Sequence, residues 1–93
     1  MKDVLGIFGR QAVEELEKKF RAQLDFVRDY RRQLKCWRFV YDHCDNEVLR
    51  EFAMHKLQVI GRLYTRWRLD AMNTLHLLKE LREAEKDAAC EVA

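Results

Sequence analysis

Four residues near the middle of the chain have side chains that bind metal ions in other proteins: Cys36, His43, Cys44 and His55. A tetrahedral zinc site needs four such ligands converging on one point. His43 and Cys44 are adjacent, so on a helix their side chains diverge by about 100° and cannot converge. We therefore expect no metal site and no cofactor. The odd count of three cysteines, with no Cys-x-x-Cys pair, predicts free thiols and a reducing compartment.

Catalytic motifs are absent from the sequence. It contains no His-Glu-x-x-His, no phosphate-binding glycine loop and no nucleophile elbow. The polar residues do not form a recognisable set of nucleophile, base and orienting group. The sequence therefore predicts a protein that binds a partner and is not an enzyme.

Basic residues form the clearest chemical pattern, although the net charge is only +2. The first group is Arg28, Arg31, Arg32, Lys35 and Arg38, and the second is Arg62, Arg66 and Arg68. On a helix the first group falls within an arc of about 120°. These residues are predicted to bind a partner, which is either an acidic protein or a nucleic acid.

Aromatic residues alternate with these arginines, and two interpretations follow. The aromatics are Tyr30, Trp37, Tyr41, Tyr64 and Trp67. Arginines that pair with phosphates, together with aromatics that stack on bases, are typical of proteins that bind single-stranded nucleic acid. Alternatively the aromatics are core, and the arginine stems cover the edge of that core. We favour the second interpretation, because the sequence pI of about 8.5 is below the value of about 9 typical of nucleic-acid-binding domains.

The elements that position these residues are two long helices. Apolar residues recur at spacings of three and four, which is the period of an amphipathic helix. In the first half they are Val13, Leu16, Phe20, Leu24, Val27, Tyr30, Leu34, Trp37, Tyr41 and Cys44. In the second half they are Leu49, Phe52, Ile60, Leu63, Trp67, Ala71, Thr74, Leu78 and Leu81, with Lys56 in the same stripe.

A short turn joins the two helices. Asp45 or Asn46 is expected to cap the second helix, and Glu47 suits the positive end of its dipole. The 93 residues have no proline and three glycines, so few other turns are expected. We predict one all-α domain, 1–93, folded as an antiparallel two-helix hairpin. Its parts are a short segment at 1–10, helices at 11–44 and 47–83, and a fraying tail at 84–93.

Several large apolar residues remain outside the predicted helix contact. They are Phe26, Phe39, Leu57, Leu69, Leu75 and Leu77. The simplest cover for them is a second copy, so that two hairpins form a four-helix bundle with coiled-coil packing. The predicted core and oligomer residues are Leu34, Trp37, Tyr41, Phe52, Ile60, Leu63 and Trp67. A third, N-terminal helix packing on the hairpin is the competing explanation.

The chain lacks the features of a membrane protein. It contains no run of about 20 apolar residues and no secretory signal at its start. We therefore expect a cytoplasmic protein with no stable membrane insertion.

One stretch resembles a known family. It runs from Trp37 through the turn Asp45-Asn46-Glu47-Val48-Leu49 and Phe52-Ala53-Met54-His55-Lys56-Leu57 to Tyr64. This stretch is similar to the YaaL-type family of short bacterial proteins, whose function is unassigned. The resemblance implies a small cytosolic bacterial helical protein, and it supplies no catalytic residues.

Overall fold

The computed structural model is a hairpin of two antiparallel helices. Helix α1 spans Lys2–His43 and helix α2 spans Glu47–Val92. The structure describes the backbone of residues 2–92 and the side chains of residues 9–87. The molecule measures 68 × 16 × 14 Å, so it is a rod whose length is set by the helices. The predicted all-α hairpin is confirmed.

The turn lies where the sequence predicts it, and Asn46 is the cap. Its side-chain oxygen Oδ1 accepts hydrogen bonds from the backbone N–H groups of Val48, at 2.9 Å, and Leu49, at 3.4 Å. The backbone N–H of Arg50 then donates to the Asn46 carbonyl at 2.9 Å, which begins the helical pattern. These bonds satisfy N–H groups that have no partner within the helix itself.

Both helices are longer than predicted. Residues 2–10 belong to α1, and residues 84–92 belong to α2. Gly6 and Gly9 do not break α1, because a glycine costs only about 1 kcal/mol within a helix. At Gly9 the missing side chain leaves room for Glu85, whose Oε1 lies 3.1 Å from where a Cβ would be. Alanine, glutamate and lysine, which dominate the end of α2, are good helix formers.

The two helices meet along one contact line, which we call the seam. Successive seam residues on each helix are separated by three and four positions in turn, which is the heptad pattern of coiled coils. On α1 and the turn they are Gly9, Val13, Leu16, Phe20, Gln23, Val27, Tyr30, Leu34, Trp37, Tyr41 and Cys44. On α2 they are Ala53, Leu57, Ile60, Tyr64, Trp67, Ala71, Thr74, Leu78, Leu81 and Glu85. Every one of them is buried or half-buried.

The seam differs from the predicted contact at several positions. Phe52 and Leu63 were expected in it, yet they are 47% and 36% exposed and lie beside it. Ala53 and Tyr64, one residue further along, take the seam positions. On α1 the buried residue is Gln23, with Leu24 half-buried next to it. The strict alternation of three and four decides which residues meet, so Ala53 and Tyr64 enter the seam although Phe52 and Leu63 are the more apolar side chains.

Candidate interaction surfaces on the two flanks of the hairpin

The seam divides the surface of the hairpin into two flanks. Seam positions alternate between heptad positions a and d. In an antiparallel helix pair, the residues that directly follow the d positions of both helices lie on one flank, and the residues that directly precede the a positions lie on the opposite flank. On the first flank the guanidinium Nη2 of Arg82 donates to Oε1 of Glu17 at 2.6 Å. On the second, the rings of Phe26 and Trp67 stack with centroids 4.7 Å apart. The two flanks differ in chemistry.

The second flank is rich in exposed apolar side chains, and we call it the apolar flank. Its members are Phe26, Leu49, Phe52, Val59, Leu63 and Leu77, all at least a third exposed. All except Leu77 lie in the half of the rod that is nearer the turn. Six exposed apolar side chains on one flank mark it as a candidate interaction surface.

Side-chain contacts hold part of the apolar flank in place. The ring of Phe52 meets Trp37 edge to face, with centroids 5.4 Å apart. The Nζ of Lys56 lies 5.5 Å from the centroid of the Phe52 ring, which is within the range of a cation–π contact. Lys56 is half-buried, and its stem runs along this flank. The flank is therefore an ordered surface as well as an apolar one.

The first flank is basic, and we call it the basic flank. Its charged members between Glu17 and Asp42 are Arg21, Arg28, Arg31, Lys35 and Arg38 on α1, with Arg68 and Lys79 on α2. All seven are exposed. The nearest acidic residues on this flank are Glu17 and Asp42, at its two ends, and none lies between them. Five of the eight arginines and lysines singled out in the sequence thus fall on one surface.

The other three predicted residues lie elsewhere. Arg32 and Arg62 occupy the outer surfaces of their helices, away from the seam, and Arg66 lies toward the apolar flank. The hairpin therefore separates the predicted basic band instead of gathering it into one patch. The heptad position of each arginine or lysine decides whether it lies on the basic flank. That position is set by the seam and cannot be read from the spacing of the charges.

Among the described residues, only one predicted arginine has an ion pair. Nε of Arg38 lies 4.0 Å from Oδ2 of Asp42, and both side chains are more than half exposed. Such an exposed pair contributes little to stability. The guanidinium groups of Arg28, Arg31 and Arg68 have no carboxylate within 4.0 Å in the part of the chain that the structure describes.

The aromatic residues between the arginines are part of the helix contact. Tyr30, Trp37, Tyr41, Tyr64 and Trp67 all lie in the seam and are half-buried. The guanidinium of Arg50 sits 4.9 Å from the ring centroid of Tyr41, which covers that face further. These rings are poorly placed to stack on nucleic-acid bases, which need an open ring face.

A shallow, open depression of about 760 Å³ runs along the outer surface of α2, where Arg62, Leu69 and Asp70 line part of it. Gly61 forms part of its floor, with Leu57, Gln58 and Thr65 beside it. A Cβ placed on Gly61 would have no atom within 4 Å. The glycine therefore does not serve close packing of α1 on α2, and the space beside it is open to a partner.

The four candidate metal ligands of the sequence do not converge on one point. Within the described side chains, no three histidine, cysteine, aspartate or glutamate residues are close enough to hold a metal ion. Nδ1 of His43 is instead 3.0 Å from the carbonyl oxygen of Phe39, and Cys44 is half-buried in the turn. Between Lys2 and Val92, neither helix contains a segment apolar enough and long enough to cross a bilayer.

Comparisons with protein-family models, with curated proteins and with solved structures gave no match. The resemblance of residues 37–64 to the YaaL-type family stays a prediction.

Proposed function

We propose that this protein is a non-enzymatic helical interaction module that forms a homodimer and acts as an adaptor or regulator of a protein partner. The observation that carries the proposal is the apolar flank, where six large apolar side chains stay exposed in the isolated hairpin. A second copy that binds through the same flank would cover these side chains on both subunits, because a twofold interface uses one surface on each. The product is a four-helix bundle.

The rod offers enough surface for this assembly. It is 68 Å long and 14–16 Å wide, so one face exceeds the roughly 800 Å² per hairpin that a stable protein–protein interface usually buries. Five of the six apolar side chains lie in the half nearer the turn, so the two copies would meet through apolar contacts there and through polar contacts along the rest of the face. The cytoplasmic location expected from the sequence is part of the same proposal.

Light scattering tests the assembly. We expect a mass of twice the 11.3 kDa chain at micromolar concentration. The double variant Leu49→Glu, Val59→Glu places two charges on the apolar flank and should be a monomer with unchanged helical circular dichroism, since both residues are exposed and neither lies in the seam. A wild-type monomer at this concentration would contradict the proposal.

The matched control is the double variant Phe39→Glu, Leu69→Glu. These residues are 63% and 56% exposed, but they lie on the outer surfaces of the helices. The control carries the same charge change and should remain a dimer. If both double variants became monomers, the effect would come from added charge and not from the apolar flank.

A further inference from the structure

Two arginines face each other across the seam where the fold elsewhere uses an ion pair. Glu17 and Arg82 form a bridge between the helices at 2.6 Å. Moving fourteen residues toward the turn on each helix, which is two heptads, leads from Glu17 to Arg31 and from Arg82 to Arg68. The antiparallel register therefore places Arg31 and Arg68 in equivalent positions, with two positive charges and no carboxylate between them.

The surroundings add positive charge to this pair. Arg28, Lys35 and Arg38 occupy the same flank of α1, and no acidic residue lies among them. Exposed like charges in these positions repel each other only weakly through water, but the repulsion leaves the pair open to a carboxylate. A carboxylate between Arg31 and Arg68 would reproduce the Glu17–Arg82 pair and relieve the repulsion. Arginine is suited to this role, because its planar group binds a carboxylate with two parallel hydrogen bonds.

The shape and apolar content of this flank fit a helix. Half-buried Leu24 lies on it between Arg21 and Arg28, half-buried Leu75 lies on α2 between Arg68 and Lys79, and exposed Met54 lies toward the turn. Between them, Gly61 leaves space for a backbone to approach closely, because a Cβ at this position would have no atom within 4 Å. From Arg21 to Arg38 the flank is about 26 Å long, which corresponds to roughly five turns of helix. A phosphate backbone would use the charges but not these apolar groups, and the seam rings offer no stacking surface.

We propose that the basic flank binds an acidic amphipathic helix of the protein partner, with Arg31 and Arg68 sharing one of its carboxylates. This inference rests on the proposed adaptor function, because it names the kind of partner. It does not depend on the apolar flank, which lies on the opposite side of the seam.

A synthetic peptide tests the proposal. The probe is an amidated, fluorescently labelled helix of about 21 residues, with leucine along one stripe and glutamate on both sides of it. Binding is measured by fluorescence anisotropy on the full chain at low and at physiological salt. We expect binding that weakens as salt rises, and about a tenfold or greater loss with a peptide in which every glutamate is replaced by glutamine.

Arg68→Glu is the decisive variant. It places a carboxylate of the protein opposite Arg31, where this carboxylate should pair with Arg31 and compete with the carboxylate of the peptide. We expect about a tenfold or greater loss of peptide affinity together with an unchanged or higher melting temperature, which excludes unfolding as the cause. The matched control is Arg62→Glu, which makes the same charge change on the outer surface of α2 and should reduce affinity by no more than about threefold.

Three results would overturn the proposal. The first is no binding of the glutamate peptide at low salt. The second is an equal loss of affinity in Arg68→Glu and Arg62→Glu, which would indicate attraction to net charge alone. The third is a duplex oligonucleotide that binds the wild type more tightly than the peptide and is weakened by Arg68→Glu, which would make the flank a nucleic-acid surface. Light scattering on the same samples separates this test from dimerisation, because a monomer that binds the peptide would contradict only the proposed assembly.

Discussion

Gln23 lies in the seam with 5% of its surface exposed, and its side-chain oxygen Oε1 has no hydrogen-bond partner among the described residues. A buried carbonyl that loses its bonds to water without replacement costs about 1–3 kcal/mol. The neighbouring seam positions carry Phe20 and Val27, so an apolar side chain would suit the site. A polar residue in such a position can restrict the register of paired helices at the expense of stability.

We therefore predict that Gln23→Leu raises the free energy of unfolding by about 1–2 kcal/mol. Urea denaturation followed by circular dichroism measures the change. Gln11→Leu is the control, because Gln11 is exposed on the outer surface of α1; its effect should stay within about 0.5 kcal/mol. A loss of stability in Gln23→Leu would show that the buried amide is hydrogen-bonded in solution.

The start of α2 depends on one side chain. Oδ1 of Asn46 accepts from the N–H groups of Val48 and Leu49, whereas the neighbouring Asp45 makes no side-chain hydrogen bond among the described residues. The sequence left the choice between them open, because both residue types are good caps. The helix begins at Glu47, which makes Asn46 the residue immediately before it.

Replacing Asn46 with alanine should lower the free energy of unfolding by about 1 kcal/mol, the usual cost of losing a cap. Asp45→Ala should change it by less than about 0.5 kcal/mol, because the exposed carboxylate has no such role. Thermal or urea denaturation of the two variants compares them directly. Equal losses in both would mean that the cap alternates between the two residues.

The helices and their turn could be predicted from the sequence, but the seam of α2 could not. Spacings of three and four, with a capping residue between two such runs, are sufficient to predict a hairpin. The apolar pattern then favoured Phe52 and Leu63 because they are more apolar than their neighbours Ala53 and Tyr64. The seam instead uses Ala53, which is fully buried, and Tyr64. Strict alternation of three and four through Ala53 and Gln23 was the available signal.

The wrong seam assignment on α2 also limited what could be predicted of the candidate site. The basic residues were found by composition, yet their division between flanks depends on the seam. Arg31 and Arg68 become neighbours only once the register is known, because they are 37 positions apart in the chain. Of the six apolar residues expected outside the helix contact, Phe26 and Leu77 are exposed on the apolar flank and Phe39 and Leu69 on the outer surfaces. The expectation was wrong for Leu57, which is half-buried in the seam because it lies four residues after Ala53.

The whole molecule is far more extended than a globular domain of its size. Its radius of gyration is 20.4 Å, against about 12 Å for a compact domain of this length. A rod that exposes most of its surface has two long faces, and here one is apolar and the other basic. Each face suits a different association, one driven by burial of apolar surface and the other by charge.

Small-angle X-ray scattering should show which dimer forms. Two hairpins side by side, about 10 Å apart, give a radius of gyration of about 21 Å, whereas end-to-end association gives about 40 Å. We expect forward scattering of twice the monomer mass with a radius near 21 Å. Because apolar burial is not screened by ions, both values should persist in molar salt. A dimer that dissociated as salt rose would instead be held by the basic flank, and the apolar flank would need another partner.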